Sequence, residues 1–106
     1  MTVQELLKLP FITPEYIVED TEYSSVFCCD LLSVAMARAP EGSAWVTVMT
    51  NSNVVAVATL ADVACVILAE GYSYDPAAIE AAKGKVTLLR SSLPIYETAL
   101  QAGQLL

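Results

Sequence analysis

The segment NVVAVATLADVACVILAEG, residues 53–71, decides the fold of this chain. Its first half follows residues of helix-capping type and contains alanines at 56, 58 and 61, which favour a helix. Its second half, ACVIL at 64–68, is an apolar run of strand length, typical of a strand covered on both faces. Because parallel strands need a helical crossover, a helix followed by such a strand predicts a unit of a parallel sheet.

The same alternation extends in both directions along the chain. We predict further strands at 15–20, 25–29, 44–50 and 85–89, and further helices over about 2–8, from residue 30, over 75–83 and from about 91. The resulting order, α-β-β-α-β-α-β-α-β-α, predicts one α/β domain over residues 1–106. We expect a mostly parallel sheet of about five strands with helices on both faces.

Local patterns predict how the helices begin, end and face the core. Thr2 and Glu5 have the spacing of a capping box, Asp75-Pro76 is a helix start, and Gly84 is a helix end. Asp30 is the predicted cap of the second helix. The predicted inward positions are Leu31, Leu32, Val34, Ala35 and Met36 in the second helix, and Ile95, Tyr96, Ala99 and Leu100 in the last.

The composition indicates a surface that another chain covers. Hydrophobic residues make up 56% of the 106 residues and charged residues 16%, so the chain is more apolar than a typical domain. A small domain exposes much surface per residue, and a surplus of apolar surface is commonly buried between subunits. We therefore expect a homodimer or a protein partner. The helix over 51–62, apolar on nearly every side, is the first candidate for that interface.

The charge excludes some partners. Five basic and twelve acidic residues give a net charge of −7, with no cluster of Lys and Arg to neutralise phosphates. We expect binding neither to nucleic acid nor to membranes, and the simplest role of the charge is solubility. The run at 54–69 is too short and too interrupted for a membrane span, and we see no signal peptide. Three cysteines, an odd number, favour free thiols in the cytoplasm.

The chain contains no histidine, which removes histidine-based catalysis and most zinc sites. Its four glycines are isolated and form no phosphate-binding loop. We therefore expect no enzyme activity, metal or cofactor. Cys28 and Cys29 are neighbours in a predicted strand and point to opposite faces, so they are not a metal pair. Their main interpretation, like that of Cys65, is structural. Cys29, close to a helix start, is a weaker redox candidate.

One candidate ligand site follows from topology. In open α/β sheets, ligands bind beyond the carboxyl ends of the strands. The polar side chains and turns predicted there are either helix caps and turn residues or a site for a small polar or anionic ligand. The set comprises Asp30, Thr50, Asn51, Ser52, Asn53, Glu70, Gly71, Ser91 and Ser92.

The sequences DLLSVAM at 30–36, AWVT at 44–47 and NVVAVATLADVACVILAEG at 53–71 resemble the DRTGG domain family, in its short free-standing form. The resemblance covers roughly residues 26–102. It implies a fold similar to the N-terminal domain of HPr kinase/phosphorylase, and a regulatory or dimerising role rather than a catalytic one. It also implies an association with iron-only hydrogenase systems.

The residues that name this family are replaced here. Thr50-Asn51 stands at the position of the Asp-Arg pair, and Ala69-Glu70-Gly71 stands at that of Thr-Gly-Gly. The loss of the arginine argues against inherited anion binding. Our first hypothesis is therefore a homodimeric regulatory or assembly module beside a redox enzyme system. The alternative is a sensing domain that binds a nucleotide or acyl phosphate at the strand ends.

Overall fold

The computed structural model describes residues 1–106 as a three-layer α/β domain. The order of its elements is the predicted one. The helices are α1 (Val3–Leu6), α2 (Leu32–Arg38), α3 (Ser52–Ala61), α4 (Pro76–Ala82) and α5 (Ile95–Gln104), and the strands are β1 (Ile12–Tyr16), β2 (Ser25–Cys28), β3 (Ser43–Thr47), β4 (Cys65–Leu68) and β5 (Thr87–Ser91).

The five strands form one sheet in the order β1-β5-β4-β3-β2. Strands β2 to β5 are parallel, and β1 runs antiparallel to β5. The carboxyl ends of the four parallel strands therefore lie together at one end of the sheet. The predicted class, a mostly parallel five-stranded sheet between helices, is confirmed. Strands β1 and β2 are the two outer strands.

The sheet divides the core into two layers. Trp45, Val66 and Leu88 point towards α2, α3 and α4, whereas Val46, Ile67 and Leu89 point towards α1 and α5. Every residue of β3 and β4 is buried. This two-sided burial explains the near-continuous apolar runs of these strands, because neither face is left for water.

Local chemistry fixes several helix ends. Asn51 caps α3 by accepting the backbone N–H of Asn53 at 3.0 Å. Pro76 occupies the first turn of α4, as predicted. Gly84 follows α4 with φ of +73°, a left-handed conformation that suits glycine. The predicted Thr2–Glu5 capping box is wrong, because the Thr2 side chain makes no capping bond and Glu5 instead pairs with Lys8.

The first strand lies earlier than predicted. It covers Ile12–Tyr16 rather than 15–20, and it includes Pro14. A proline is tolerated because β1 is an edge strand, where a missing N–H need not cost a sheet hydrogen bond. Residues 17–22 instead lead into β2 through a turn in which Asp20 has φ of +59°.

Several predicted inward residues of α2 and α5 are exposed. In α2 only Ala35 is buried, and Val34 and Met36 are 36% and 56% exposed, while Leu31 at the N-cap is 59% exposed. In α5 the buried residues are Thr98 and Ala102, while Tyr96 and Leu100 lie at the surface. These predictions were wrong because each helix covers the sheet with one narrow side.

The Ser43 hydroxyl is buried and has no hydrogen-bond partner in the protein. We expect Ser43→Ala to raise the free energy of unfolding by up to about 1 kcal/mol, because it removes an unsatisfied polar group. Ser91→Ala is the matched control, since that buried hydroxyl bonds to Thr98 and Leu93 and its loss should cost about 1 kcal/mol. Urea denaturation measures both, and a destabilised Ser43→Ala variant would contradict the assignment.

Candidate functional site

The carboxyl ends of β2 and β3 are joined by the Asp30 carboxylate. Its Oδ1 accepts the Thr47 hydroxyl at 2.7 Å and the Val48 backbone N–H at 2.8 Å. The predicted capping role of Asp30 is wrong, since Leu31 occupies the N-cap position of α2. Asp30 therefore ties two strand ends together, and its Oδ1 is engaged within the fold.

Beyond β3, the predicted polar residues connect α3 and α4. The Thr50 hydroxyl donates to Asp75 Oδ1 at 3.1 Å, and the Asp75 N–H donates to the Thr50 carbonyl at 3.0 Å. Asn51 is engaged as the cap of α3. The Asn53 side chain is exposed and Ser52 is half-buried. Of the four residues predicted here, Thr50 and Asn51 therefore have structural partners.

The ends of β4 and β5 are joined through backbone groups. The N–H of Glu70 donates to the Leu93 carbonyl at 2.9 Å, and that of Gly71 to the Ser91 carbonyl at 3.0 Å. Glu70 and Gly71 both have positive φ, 66° and 72°. The buried Ser91 hydroxyl lies 2.7 Å from the Thr98 hydroxyl and accepts the Leu93 N–H. Ser92 is exposed.

A depression of about 230 Å³ lies at the ends of β1 and β5. Arg90 lines it, with its Nε 3.2 Å from Glu15 Oε1, an ion pair without hydrogen-bond geometry at that nitrogen. The carboxylate already offsets the arginine charge, so an anion would compete with Glu15 there. The lining residues are Pro10, Phe11, Thr13, Gly71, Tyr72, Arg90, Ser91 and Ser92.

Two larger depressions, of about 360 and 340 Å³, lie at the opposite end of the sheet, near the amino ends of the parallel strands. They share Asp20, Thr21 and Glu22, and Glu19, Glu41 and Asp62 add to their acidic lining. Our sequence reasoning missed them, although the acidic segment at 19–22 is a visible signal. No group of three or more candidate donors has the arrangement of a metal site.

The three cysteines occupy different environments. Cys65 is buried in β4, as predicted, and burial raises the pKa of its thiol to about 12. Cys28 is exposed at the end of β2, and its pKa is raised by partial burial and by Asp30. The half-buried Cys29 thiol donates to the Leu31 carbonyl at 3.3 Å. The Trp45 indole N–H donates to the Cys29 carbonyl at 3.0 Å, so this residue also anchors the core.

Several large apolar side chains of the helices are exposed to solvent. They belong to α2, α3 and α5, and Leu60 of α3 is 74% exposed. The helix α3 buries Val54, Val55, Val57 and Ala58, so its apolar character extends to its outer side through Ala56 and Leu60. These side chains stabilise the protein only when another surface covers them and removes them from water.

No family model, characterised protein or solved structure matches this chain significantly. None of the helices combines the length and the apolar character needed to cross a membrane. At the carboxyl ends of the strands, hydrogen bonds within the fold engage the side chains of Asp30, Thr50, Asn51 and Ser91.

We expect Asn51→Ala to lower the free energy of unfolding by about 1 kcal/mol, because it removes the cap of α3. Asn53→Ala is the control, since only the backbone N–H of Asn53 takes part in that cap, and it should change stability by less than about 0.5 kcal/mol. Thermal denaturation measures both. Equal losses in the two variants would contradict the capping role.

The buried thiol predicts a loss of stability at alkaline pH. Because the pKa of Cys65 is raised from 9.0 to about 12 in the fold, its stabilising effect is complete below pH 9 and is lost as the pH rises towards 12. Tyr23, whose pKa burial raises from 10.0 to about 12, adds to the loss above pH 10. Urea denaturation between pH 7 and 11 measures this.

The control for this prediction is Cys65→Ala. The variant should be less stable at pH 7 but should lose less stability between pH 9 and 11 than the wild type, because the phenols of Tyr23 and Tyr74, whose pKa values burial raises, still titrate but the thiol is gone. Identical pH profiles for the variant and the wild type would contradict the role of the thiol.

Proposed function

We propose that this chain is a non-catalytic regulatory or assembly module that works as a homodimer. The observation that carries the proposal is α2, a helix of seven residues that buries only Ala35 and leaves Val34 and Met36 exposed, as it does Leu31 at its N-cap. A short helix with so little buried surface gains stability when a partner covers its outer side.

The strand-end geometry supports a non-catalytic role. Activated nucleophiles and general bases depend on neighbouring groups that shift their pKa or take their proton. Here the chain has no histidine, and the Asp30, Asn51 and Ser91 side chains hold the fold together. The Cys28 thiol has a raised pKa, the opposite of what a reactive thiolate needs.

The proposal includes the setting that the DRTGG resemblance implies, an iron-only hydrogenase or related redox system in the cytoplasm. Three free thiols, with no disulfide, support a reducing compartment. Affinity purification of the tagged chain from its native host tests this part. Co-purification of a redox enzyme is the expected result, and recovery of the chain without any such enzyme would contradict it.

The expected association is a dimer at micromolar concentration. Sedimentation equilibrium of the full chain should give twice the 11.3 kDa mass of one chain. The mass should remain dimeric in high salt, because apolar contacts are not screened by ions as charge pairs are. A monomer mass up to about 100 μM, where a weak but specific homodimer would still be seen, would contradict the proposal.

A further inference from the structure

We propose that the dimer forms through the open edge of β2. This inference rests on the proposed function and names its surface and its partner: β2 pairs antiparallel with β2 of a second copy, about a twofold axis normal to the sheet. Two five-stranded sheets then become one sheet of ten strands. A twofold interface uses the same patch on both copies, so the patch must be complementary to itself.

The two edges of the sheet differ in their protection. Edge strands usually carry prolines, bulges or charges, which prevent pairing with another chain. Strand β1 has all three: Pro14, a register shift between Pro14 and Tyr16, and the Glu15–Arg90 ion pair. Strand β2, with the sequence SVFC, has none of them. The open edge of β2 is therefore the one suited to pairing.

The register of β2 shows which backbone groups point outward. Cys28 lies opposite Val46, and the N–H of Cys29 donates to the Val46 carbonyl at 3.2 Å. In a parallel pair, alternate residues direct both backbone groups to the neighbouring strand. The carbonyls of Ser43 and Thr47 accept N–H groups from the β4 side, so Ala44 and Val46 face β2. From Ser25 to Cys29, odd-numbered residues therefore face β3, and the N–H and C=O groups of Val26 and Cys28 face outward. The alternation ends at Ser24, whose N–H donates to the Gly42 carbonyl at 2.9 Å.

One antiparallel register satisfies all of these outward groups. With Val26 opposite Cys28 of the second copy, each residue donates and accepts across the edge, and four hydrogen bonds form. The two copies of Phe27 then meet at the twofold axis. Phe27 packs against the core layer beneath α2, so the aromatic pair would extend that layer into the second copy.

The helix α2 presents apolar side chains to the same edge. A right-handed β2-α2-β3 crossover places α3 on one side of α2 and the open edge on the other. The hand of the α-helix then turns Leu31, Val34 and Arg38 towards the open edge, and Met36 towards α3. With strands about 4.8 Å apart, two α2 helices would lie roughly 10 Å apart across the axis, a normal helix-packing distance.

On the opposite face of the sheet, α5 lies over the same outer strand. Helix α5 packs against β2 and β3, and its exposed residues include Tyr96 and Leu100, one turn apart. Thr98 and Ala102 face the sheet, so Tyr96 and Leu100 lie on the outer side of α5, beside rather than against the open edge.

Charge favours a second copy of this acidic chain at this edge. Between residues 23 and 37 the only charged residue is Asp30, although the whole chain carries −7. Two copies can approach here without the repulsion that their other surfaces would produce. In antiparallel α2 helices, Arg38 of one copy would lie near Asp30 of the other, and these two charges are of opposite sign.

Disulfide trapping tests the register. In Val26→Cys, position 26 should lie opposite Cys28 of the second copy, about 5.5 Å away between Cα atoms, which suits a disulfide. Oxidation with diamide should give a covalent dimer on a non-reducing gel. The control Val26→Cys with Cys28→Ser retains the new thiol but lacks its partner, and it should remain largely monomeric on the gel.

Matched lysine variants test the side chains. We expect Val34→Lys to raise the dimer dissociation constant at least tenfold and Met36→Lys to change it less than threefold, as measured by sedimentation. Both variants place a lysine at a partly exposed apolar position of α2, and circular dichroism confirms that each is folded.

The outcomes separate this inference from the proposed function. A monomeric wild type would overturn both. If the wild type is dimeric but Val26→Cys forms no disulfide and Val34→Lys and Met36→Lys weaken the dimer equally, the β2 interface alone is overturned. Dimerisation through the outer side of α3 would then be recognised because Leu60→Lys weakens the dimer. If the dimer forms through β2, Leu60→Lys should leave the dimer affinity unchanged.

Discussion

The structure depends on burying the central strands on both faces. Every residue of β3 and β4 lies out of contact with water, so helices must cover two faces of the sheet with 106 residues. The helices available are short, from four to ten residues. They cover the middle of the sheet well and its outer strands less well, which explains why the burial of β2 falls off to an exposed Cys28.

This constraint also explains the polar groups at the strand ends. A sheet with short connections needs its turns fixed, and Asp30, Asn51 and Ser91 fix three of them through hydrogen bonds. In larger α/β proteins, longer loops at this edge provide room for a ligand. Here the same residue types are engaged in closing the turns. The two demands, fixing a turn and binding a ligand, compete for the same side chains.

Sequence reasoning predicted the element order and fold class because the signals are local. Runs without charge, rich in apolar residues, marked β3 and β4, and Asn51, Pro76 and Gly84 marked helix ends. It failed where burial depends on position in the sheet. Strand β1 includes Pro14, which only an edge strand tolerates, and the inward side of α2 depends on its place over an outer strand. A single sequence does not show the order of the strands in the sheet.

The candidate site shows the same limit. Topology correctly gathered the strand ends at one edge, but the partners of Asp30 and Ser91 are Thr47 and Thr98, whose proximity appears only in the folded chain. The unprotected edge of β2 became recognisable only when β2 was known to be an outer strand. Composition predicted a surplus of apolar surface, and the strand order shows that part of this surface lies beside the outer strand β2.

Amide hydrogen exchange of β2, followed by NMR as a function of protein concentration, tests the central claim most directly. The N–H groups of Val26 and Cys28 point away from β3, so within one copy they have no sheet partner. If a second copy pairs with this edge, both amides exchange slowly at high concentration and rapidly on dilution, while the Cys29 amide changes little. Equally rapid exchange of Val26 and Cys28 at every concentration would contradict the account.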